Sequence, residues 1–383
     1  MLIQIQKEDV IEGLQKAASI IPQKTGAAYL RSIWLRAEGN KLELLSTDSN
    51  IEFRGSYTAT VKQEGLLGVQ GRAFVELIRR LPAGEITLRA DEAASVLHIE
   101  QGRRQYKLPT NDKTWFQSFS DFPESGAVMW SGDFLQELID RVNFCIGEEG
   151  LEAIACMILK PAANEKIEAA GMNGHQFAMI RFSNDELRGL LPPNGILIQK
   201  KYLNEMKKWL GIDEIDVNLD EKRLYLRTTD KKESLSLPLS AYQYPDYHTF
   251  LARLDAPEVA SLEISRGEAQ EALQRILIFN TESNRCTYFQ LTPTEVILTA
   301  AGQDVGSATE TLDVAYHGAV ERIAFPTHNL LSLLDHFNSA KLTLSLTGSE
   351  GPCGVRGEDD AEYLVIIMPM KILDDTQFSE EQV

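Results

Sequence analysis

Six stretches of the chain repeat apolar residues at helical spacing, and each follows a short run suited to a β-strand. Three of them share one pattern: "IQIQKEDVIEGLQKAA" from Ile3, "VMWSGDFLQELIDRV" from Val128 and "LEISRGEAQEALQRI" from Leu262. Aligned, they superpose Val10 on Leu135 and Ala269, Leu14 on Ile139 and Leu273, and Ala17 on Val142 and Ile276, which is one face of a helix. A second trio follows in the same order: "VQGRAFVELIRRL" from Val69, "IQKKYLNEMKKWL" from Ile198 and "FPTHNLLSLLDHF" from Phe325. These superpose Phe74, Leu203 and Leu330, then Leu77, Met206 and Leu333, then Leu81, Leu210 and Phe337. Each is followed by a β-rich run, "EITLRAD", "EIDVNLD" or "KLTLSLT".

Two independent elements therefore return with one period of about 127 residues, far longer than a solenoid repeat. The pattern predicts an α+β chain of three similar domains, 1–125, 126–252 and 253–372, each with two helices packed on antiparallel sheets. The helices are expected at 7–18, 71–81, 132–144, 200–210, 267–280 and 327–338. The acidic stretch 373–383, "LDDTQFSEEQV", is expected to be a disordered tail. One run breaks the repeat: "LVIIMPMKI" (364–372) starts as a buried strand and stops at a proline between two methionines, an ending that the other two copies lack.

Composition adds limits. A length of 383 residues with 43% hydrophobic and 25% charged residues is that of an ordinary globular chain of two or three domains. No window reaches the roughly 18 apolar residues of a membrane span, and the N-terminus carries no signal-peptide pattern, so a cytoplasmic protein without a membrane partner is expected. Cys145, Cys156, Cys286 and Cys353 lie far apart, in no zinc or disulfide spacing, and read as buried thiols.

The net charge of −18 speaks against a nucleic-acid surface when averaged over the chain, but it is unevenly spread. The six helices hold eleven Lys and Arg against eleven Asp and Glu, so the whole excess lies elsewhere. Basic residues recur in the repeat frame at Lys16, Arg141 and Arg275 and at Arg72, Lys201 and His328, with Lys16 expected to point away from the core. These positions suit either solvated helix faces or a surface that meets phosphates without reading bases. Architecture has to decide between the two.

No phosphate loop, dinucleotide fingerprint, nucleophile elbow or metal-binding histidine pair occurs, so neither an enzyme nor a metal or other cofactor is expected.

Four further stretches carry a resemblance: "LLSTDSNIEFRG" (44–55), "NGHQFAM" (173–179), "YPDYHTFL" (244–251) and "IIMPMKI" (366–372). In this order, within three repeats, they resemble the bacterial DNA polymerase III β subunits, the sliding clamps. The resemblance implies a DNA-clamp fold and a head-to-tail homodimer closed into a ring, with helices around sequence-independent double-stranded DNA. It implies partners that dock short peptide motifs: the polymerase III catalytic subunit, the clamp loader, and repair and translesion polymerases.

Carried over by motif, the partner pocket comprises Gly174, His175, Gln176 and Phe177, then Pro245, Thr249 and Phe250, and Ile366, Met368, Pro369, Met370 and Lys371. Read alone, His175 is a structural histidine and Phe177 a core residue. Gln176 and Asn173 stand where the family has an arginine and an aspartate. Contact with DNA is expected at Lys24 in "PQKTG" and at the helix cations Arg72, Arg79, Arg80, Arg141, Lys200, Lys201 and Arg275. The ring interface is expected at Tyr106 and Leu108 on one edge and Ile278 and Phe279 on the other. Against DNA contact stands the loop "GEEGLEA" (147–153), whose Glu148 and Glu149 depart from the family pattern. A clamp-derived interaction scaffold that does not slide on DNA is therefore the alternative function.

Overall fold

Strand-then-helix steps recur six times, as the hydrophobic pattern requires. Leu2–Gln6 leads into α1 (Lys7–Ile20), Gly65–Gln70 into α2 (Gly71–Arg80), and Val128–Ser131 into α3 (Gly132–Asn143). After the short α4 (Asp185–Leu190), Ile196–Gln199 leads into α5 (Lys200–Trp209). After α6 (His248–Leu254), Ala260–Ser265 leads into α7 (Arg266–Leu277) and Arg322–Pro326 into α8 (Thr327–Leu334). These assignments come from a computed structural model that describes residues 1–22, 27, 29–91, 93, 95–282, 284–302 and 305–372. Lys24 and the acidic stretch 373–383 lie outside the described residues.

Of the eighteen superposed apolar positions, seventeen are buried and Leu77 is half-buried, so the repeat frame is also the core frame. Helix starts are set locally. The Gln70 Oε1 accepts the Ala73 N–H at 2.6 Å to open α2, and the Ser131 Oγ accepts the Phe134 N–H at 3.2 Å to open α3. Arg79 and Arg80 in the last turn of α2, and Lys207 and Lys208 in that of α5, offset the carbonyl end of each helix dipole. Among the described residues the two further α-helices, α4 and α6, span only 6 and 7 residues, too few for helical periodicity to mark them in the sequence.

The chain packs into two compact units, and backbone pairing explains why they are not three. The first unit holds Met1–Glu137, Asp185–Pro192 and Lys201–Ala241. Within it, thirteen strands form one antiparallel sheet, because Glu52–Thr58 of the first repeat pairs with Glu233–Pro238 of the second, from Glu52↔Ser236 to Gly55↔Glu233. Gly13 and Gly55 leave room for Tyr57, since a Cβ at Gly13 would lie 1.7 Å from the Tyr57 hydroxyl. That hydroxyl donates to Glu233 at 2.7 Å, and Lys16 reaches the same carboxylate at 2.8 Å. Lys16 is thus turned onto an ion pair at the sheet, contrary to the expectation that it faces away.

The second unit holds Leu138–Asn184, Pro193–Lys200 and the chain from Tyr242 on, with a nine-stranded and a four-stranded sheet among the described residues. In the nine-stranded sheet, Gln176–Phe182 of the second repeat pairs with Tyr363–Ile367 of the third, from Gln176↔Ile367 to Ile180↔Tyr363. All five residues of Tyr363–Ile367 are buried, and burial contributes about 2 kcal/mol for each large apolar side chain. All four cysteines are free and buried. Among the described residues no helix is long and apolar enough to cross a membrane.

Arg141 requires a correction, because it is only 9% exposed and is not presented to nucleic acid. Its guanidinium pairs with Asp360 at 2.8 Å and lies 5.0 Å from the centre of the Tyr363 ring. Burial opposes ionisation of Asp360. Hydrogen bonds from the Ser339 N–H and Oγ, with the Arg141 charge, outweigh it and hold the carboxyl below its usual range. A lowered folded pKa contributes stability above the unfolded value of about 4, and that stability is lost as pH falls through the folded value. Asp360→Asn, which takes a carboxylate from a buried cation, is expected to cost about 3 kcal/mol at neutral pH. In thermal unfolding the gap from the native protein should narrow below about pH 4, and a gap independent of pH would contradict the assignment.

Candidate functional site

An apolar hollow of ≈ 220 Å³ opens in the second unit, at the end of the strand pair just described. Phe177 and Ile366, each 3% exposed, register directly across the two strands and belong to a core cluster with Met179, Tyr247, Leu254 and Leu364. Phe250, half-buried on α6, stands edge-on to Phe177 with ring centres 5.3 Å apart. Met172, Met368 and Pro352 complete the apolar wall, and His175 and Arg253 are its polar members beside Gln176. The floor is therefore core, and the walls are core side chains left uncovered.

Local sequence shapes each wall. In "NGHQ", the Asn173 Oδ1 accepts the His175 and Gln176 N–H groups at 3.0 and 2.8 Å, closing a side-chain turn. Gly174 sits inside that turn at φ +89°, a conformation that favours glycine. In "YPDYH", the Asp246 Oδ1 accepts the His248 N–H at 2.9 Å where α6 begins. The Met368 N–H donates to the His175 carbonyl at 2.8 Å, which seats the methionine after the strand has ended.

Seven of the twelve expected pocket residues line the hollow: Gly174, His175, Gln176, Phe177, Phe250, Ile366 and Met368. Pro245, Thr249, Pro369, Met370 and Lys371 do not. Pro245, Thr249 and Lys371 are exposed beyond the walls. Met370 is 44% exposed, and its backbone N–H donates to the Ala324 carbonyl at 2.8 Å. Gln176 is 7% exposed, and its amide donates to the Asn329 carbonyl at 3.4 Å, so the side chain that replaces an arginine is neutral and engaged.

Sequence reading missed three lining residues. Met172 directly precedes the recognised turn, as the last residue of the strand Ile167–Met172. Arg253 follows Phe250 by one turn of α6. Pro352 has no local signal, and sheet register brings it in, because the adjacent Cys353 pairs with Ile367.

The helix cations are mostly engaged. Arg79 and Arg80 both pair with Glu76, at 2.8 and 2.6 Å, and Arg275 pairs with Glu310 at 2.7 Å. Lys200 reaches the Ile146 carbonyl at 2.9 Å and Glu148 at 3.0 Å, so the acidic loop covers the cation beside it. Lys201 lies over the ring of Tyr202 at 4.8 Å, and Arg72 is exposed. Hydrogen bonds from Arg79 and Arg80 lower the Glu76 carboxyl, and Arg275 does the same to Glu310. These surface pairs are worth little in water.

The expected interface residues lie on one sheet edge and at one helix end. Arg104–Asn111 pairs with Val96–Gln101 through residues 104–109 and with Gly65–Gln70 only through Thr110 and Asn111. Its outer edge at Tyr106 and Leu108, both half-buried, has no strand partner among the described residues. Ile278, at the end of α7, is 70% exposed, and Phe279 is half-buried. Gly306–Asp313, which among the described residues pairs only with Glu295–Gly302, forms a second open edge. No cluster of three potential metal ligands occurs among the described residues.

Comparison with known proteins gives one consistent result. Two family models match, the DNA polymerase III beta subunit N-terminal domain over residues 1–120 and its C-terminal domain over residues 257–371. The beta sliding clamp of Chlamydia pneumoniae is 22% identical over 370 residues, covering 94% of this chain and 96% of that protein. That of Pseudomonas putida is 24% identical over 377 residues, covering 96% and 99%. The crystal structure of the Caulobacter crescentus DNA polymerase sliding clamp is similar with a TM-score of 0.89 at 20% identity, over 97% of this chain and all of that one. A Pseudomonas aeruginosa sliding clamp bound to griselimycin gives 0.87 at 22% identity, with the same coverage.

Proposed function

Because this chain belongs to the bacterial DNA polymerase III β-subunit family of sliding clamps, we propose that its exposed cations, open sheet edges and apolar hollow divide a clamp's three tasks. The protein is a non-catalytic processivity factor. It encircles duplex DNA as a head-to-tail homodimer and tethers the replicative polymerase and other DNA-processing proteins, which raises their effective concentration at the template. Its domains are read as 1–125, 126–252 and 253–372, in keeping with the family matches at 1–120 and 257–371. It works in the cytoplasm, where it meets the chromosome.

The observation that carries this reading is the hollow beside Phe177, Phe250, Ile366 and Met368. It is apolar, bounded by aromatic and thioether side chains, and sized for one or two side chains of a short peptide. Methionine suits a wall that has to accept several partners. Pro245, Thr249, Pro369, Met370 and Lys371 are assigned to its surroundings, where a longer peptide would run.

DNA contact is assigned to Arg72, Arg79, Arg80, Lys200, Lys201 and Arg275, and by resemblance to Lys24, but not to the buried Arg141. Since most of these cations already have carboxylate partners, contact with phosphates is an exchange of ion pairs. Such contact is weak, salt-dependent and without sequence preference, as sliding requires. The ring closes where the edge at Tyr106 and Leu108 of one protomer meets the surface at Ile278 and Phe279 of the next, which would cover both open edges.

Three measurements test these assignments. Phe250→Asp should weaken binding of a partner polymerase's clamp-binding peptide at least thirtyfold, about 2 kcal/mol, in a fluorescence anisotropy titration. Unchanged affinity would remove the pocket from the account. Loaded protein should stay on closed circular DNA and run off the same DNA once linearised. Equal retention on both would favour the non-sliding scaffold, a reading that Glu148 over Lys200 and the loss of Arg141 from the surface make worth testing. Glu148→Gln should free Lys200 and steepen the slope of log affinity against log salt by about 0.9. An unchanged slope would mean that Lys200 does not reach phosphate.

A further inference from the structure

A second hollow, of about 600 Å³, opens at the far end of the same strand pair, bounded by Lys160, Lys166, Arg181, His248, Glu168 and Glu362. Its charges do not balance. Glu168 is 1% exposed, and both its oxygens are occupied. Oε1 accepts the Tyr247 hydroxyl and lies 3.5 Å from the Lys160 Nζ, while Oε2 accepts the Arg181 Nε at 2.9 Å. One buried carboxylate thus faces two cations. The other close neighbours of the Lys160 Nζ are the Tyr247 ring at 4.5 Å and the His248 Nε2 at 3.3 Å, neither of them an anion.

The terminal nitrogens of Arg181, whose side chain is 40% exposed, make no further bond among the described residues. Lys166 pairs with Glu362 at the mouth, where both side chains are partly exposed. In a chain of net charge −18, a half-desolvated hollow with one cation in excess is a place where an oxyanion gains more than on open surface.

Position indicates where that oxyanion comes from. Phe177 in the apolar pocket and Arg181 in this hollow are four residues apart on one strand, about 13 Å at some 3.3 Å per residue. Phe250 and His248 are two residues apart on α6. A peptide seated in the pocket reaches the hollow with four or five extended residues. We propose that the hollow is a second subsite, which binds a side-chain carboxylate of the same partner peptide whose apolar residues fill the pocket. The inference rests on the pocket reading above, and free inorganic phosphate offers the same chemistry from another source.

The test uses the full-length protein and three labelled peptides that share one apolar anchor. The first stops there, the second adds five residues that end in two glutamates, and the third ends in two glutamines. The glutamate peptide should bind about three- to tenfold tighter than the glutamine peptide at low salt. Lys160→Gln, which leaves Glu168 matched to Arg181, should erase that difference without moving the thermal midpoint. Glu362→Gln, which removes the resident carboxylate from Lys166, should enlarge it, an outcome that a purely structural role for these residues does not give.

Equal affinity of the two extended peptides overturns the second subsite, while a loss of all binding in Phe250→Asp still upholds the pocket. If no peptide binds, the pocket reading fails instead, and inorganic phosphate against chloride at matched ionic strength judges the hollow. Thermal stabilisation by phosphate that Lys160→Gln removes upholds the anion site, and its absence overturns it.

Discussion

Backbone hydrogen bonding between Gln176–Phe182 and Tyr363–Ile367 is the constraint from which the rest of the functional geometry follows. These strands come from different repeats, nearly 190 residues apart, and their register decides which side chains meet. With Phe177 opposite Ile366, the turn at Asn173 and Gly174 comes beside Met368, and the two apolar segments leave one hollow between them. A slip of one residue would turn every side chain on the strand to the other face and dissolve the wall. The same pair puts Arg181 near Glu362, through the Arg181 N–H donated to the Glu362 carbonyl at 3.0 Å, so both hollows are consequences of one register.

Continuing a sheet from one repeat into the next also relieves a liability of β structure. Each repeat alone would expose a strand edge, and pairing of Glu52–Thr58 with Glu233–Pro238 covers one pair of such edges, as the Gln176–Phe182 pairing covers another. The edge at Arg104–Asn111 is left over, with its alternating half-buried side chains, and self-association is the physical remedy for it.

Electrostatics are managed by distribution rather than by total charge. An average of −18 coexists with helices that are neutral in sum, and the exposed helix cations are moderated by neighbouring carboxylates such as Glu76, Glu148 and Glu310. Arg141 shows the limit of reasoning from charge alone. It occupies the same repeat position as Arg275, yet Arg275 is exposed beside Glu310 while Arg141 is enclosed with Asp360 and Tyr363. Equivalent positions in duplicated domains meet different neighbours, because each domain packs against a different part of the chain.

The sequence by itself determined the six long helices, the three-fold repetition and the core positions, since all depend on periodicity that is read within a dozen residues. It also marked Gly174 to Phe177, Phe250, Ile366 and Met368 as belonging together, through motifs whose local turns and strand ending are encoded where they stand. Tertiary structure alone decided that Pro352 and Arg253 join that wall, that Arg141 leaves the surface, and that Lys160, Arg181 and Glu168 form a charged hollow. Those outcomes depend on strand register and on partners that lie from 8 residues to more than 200 away in the chain. Hydrophobic periodicity carries no information about pairing at that range, whereas a single hydrogen-bonded register settles it.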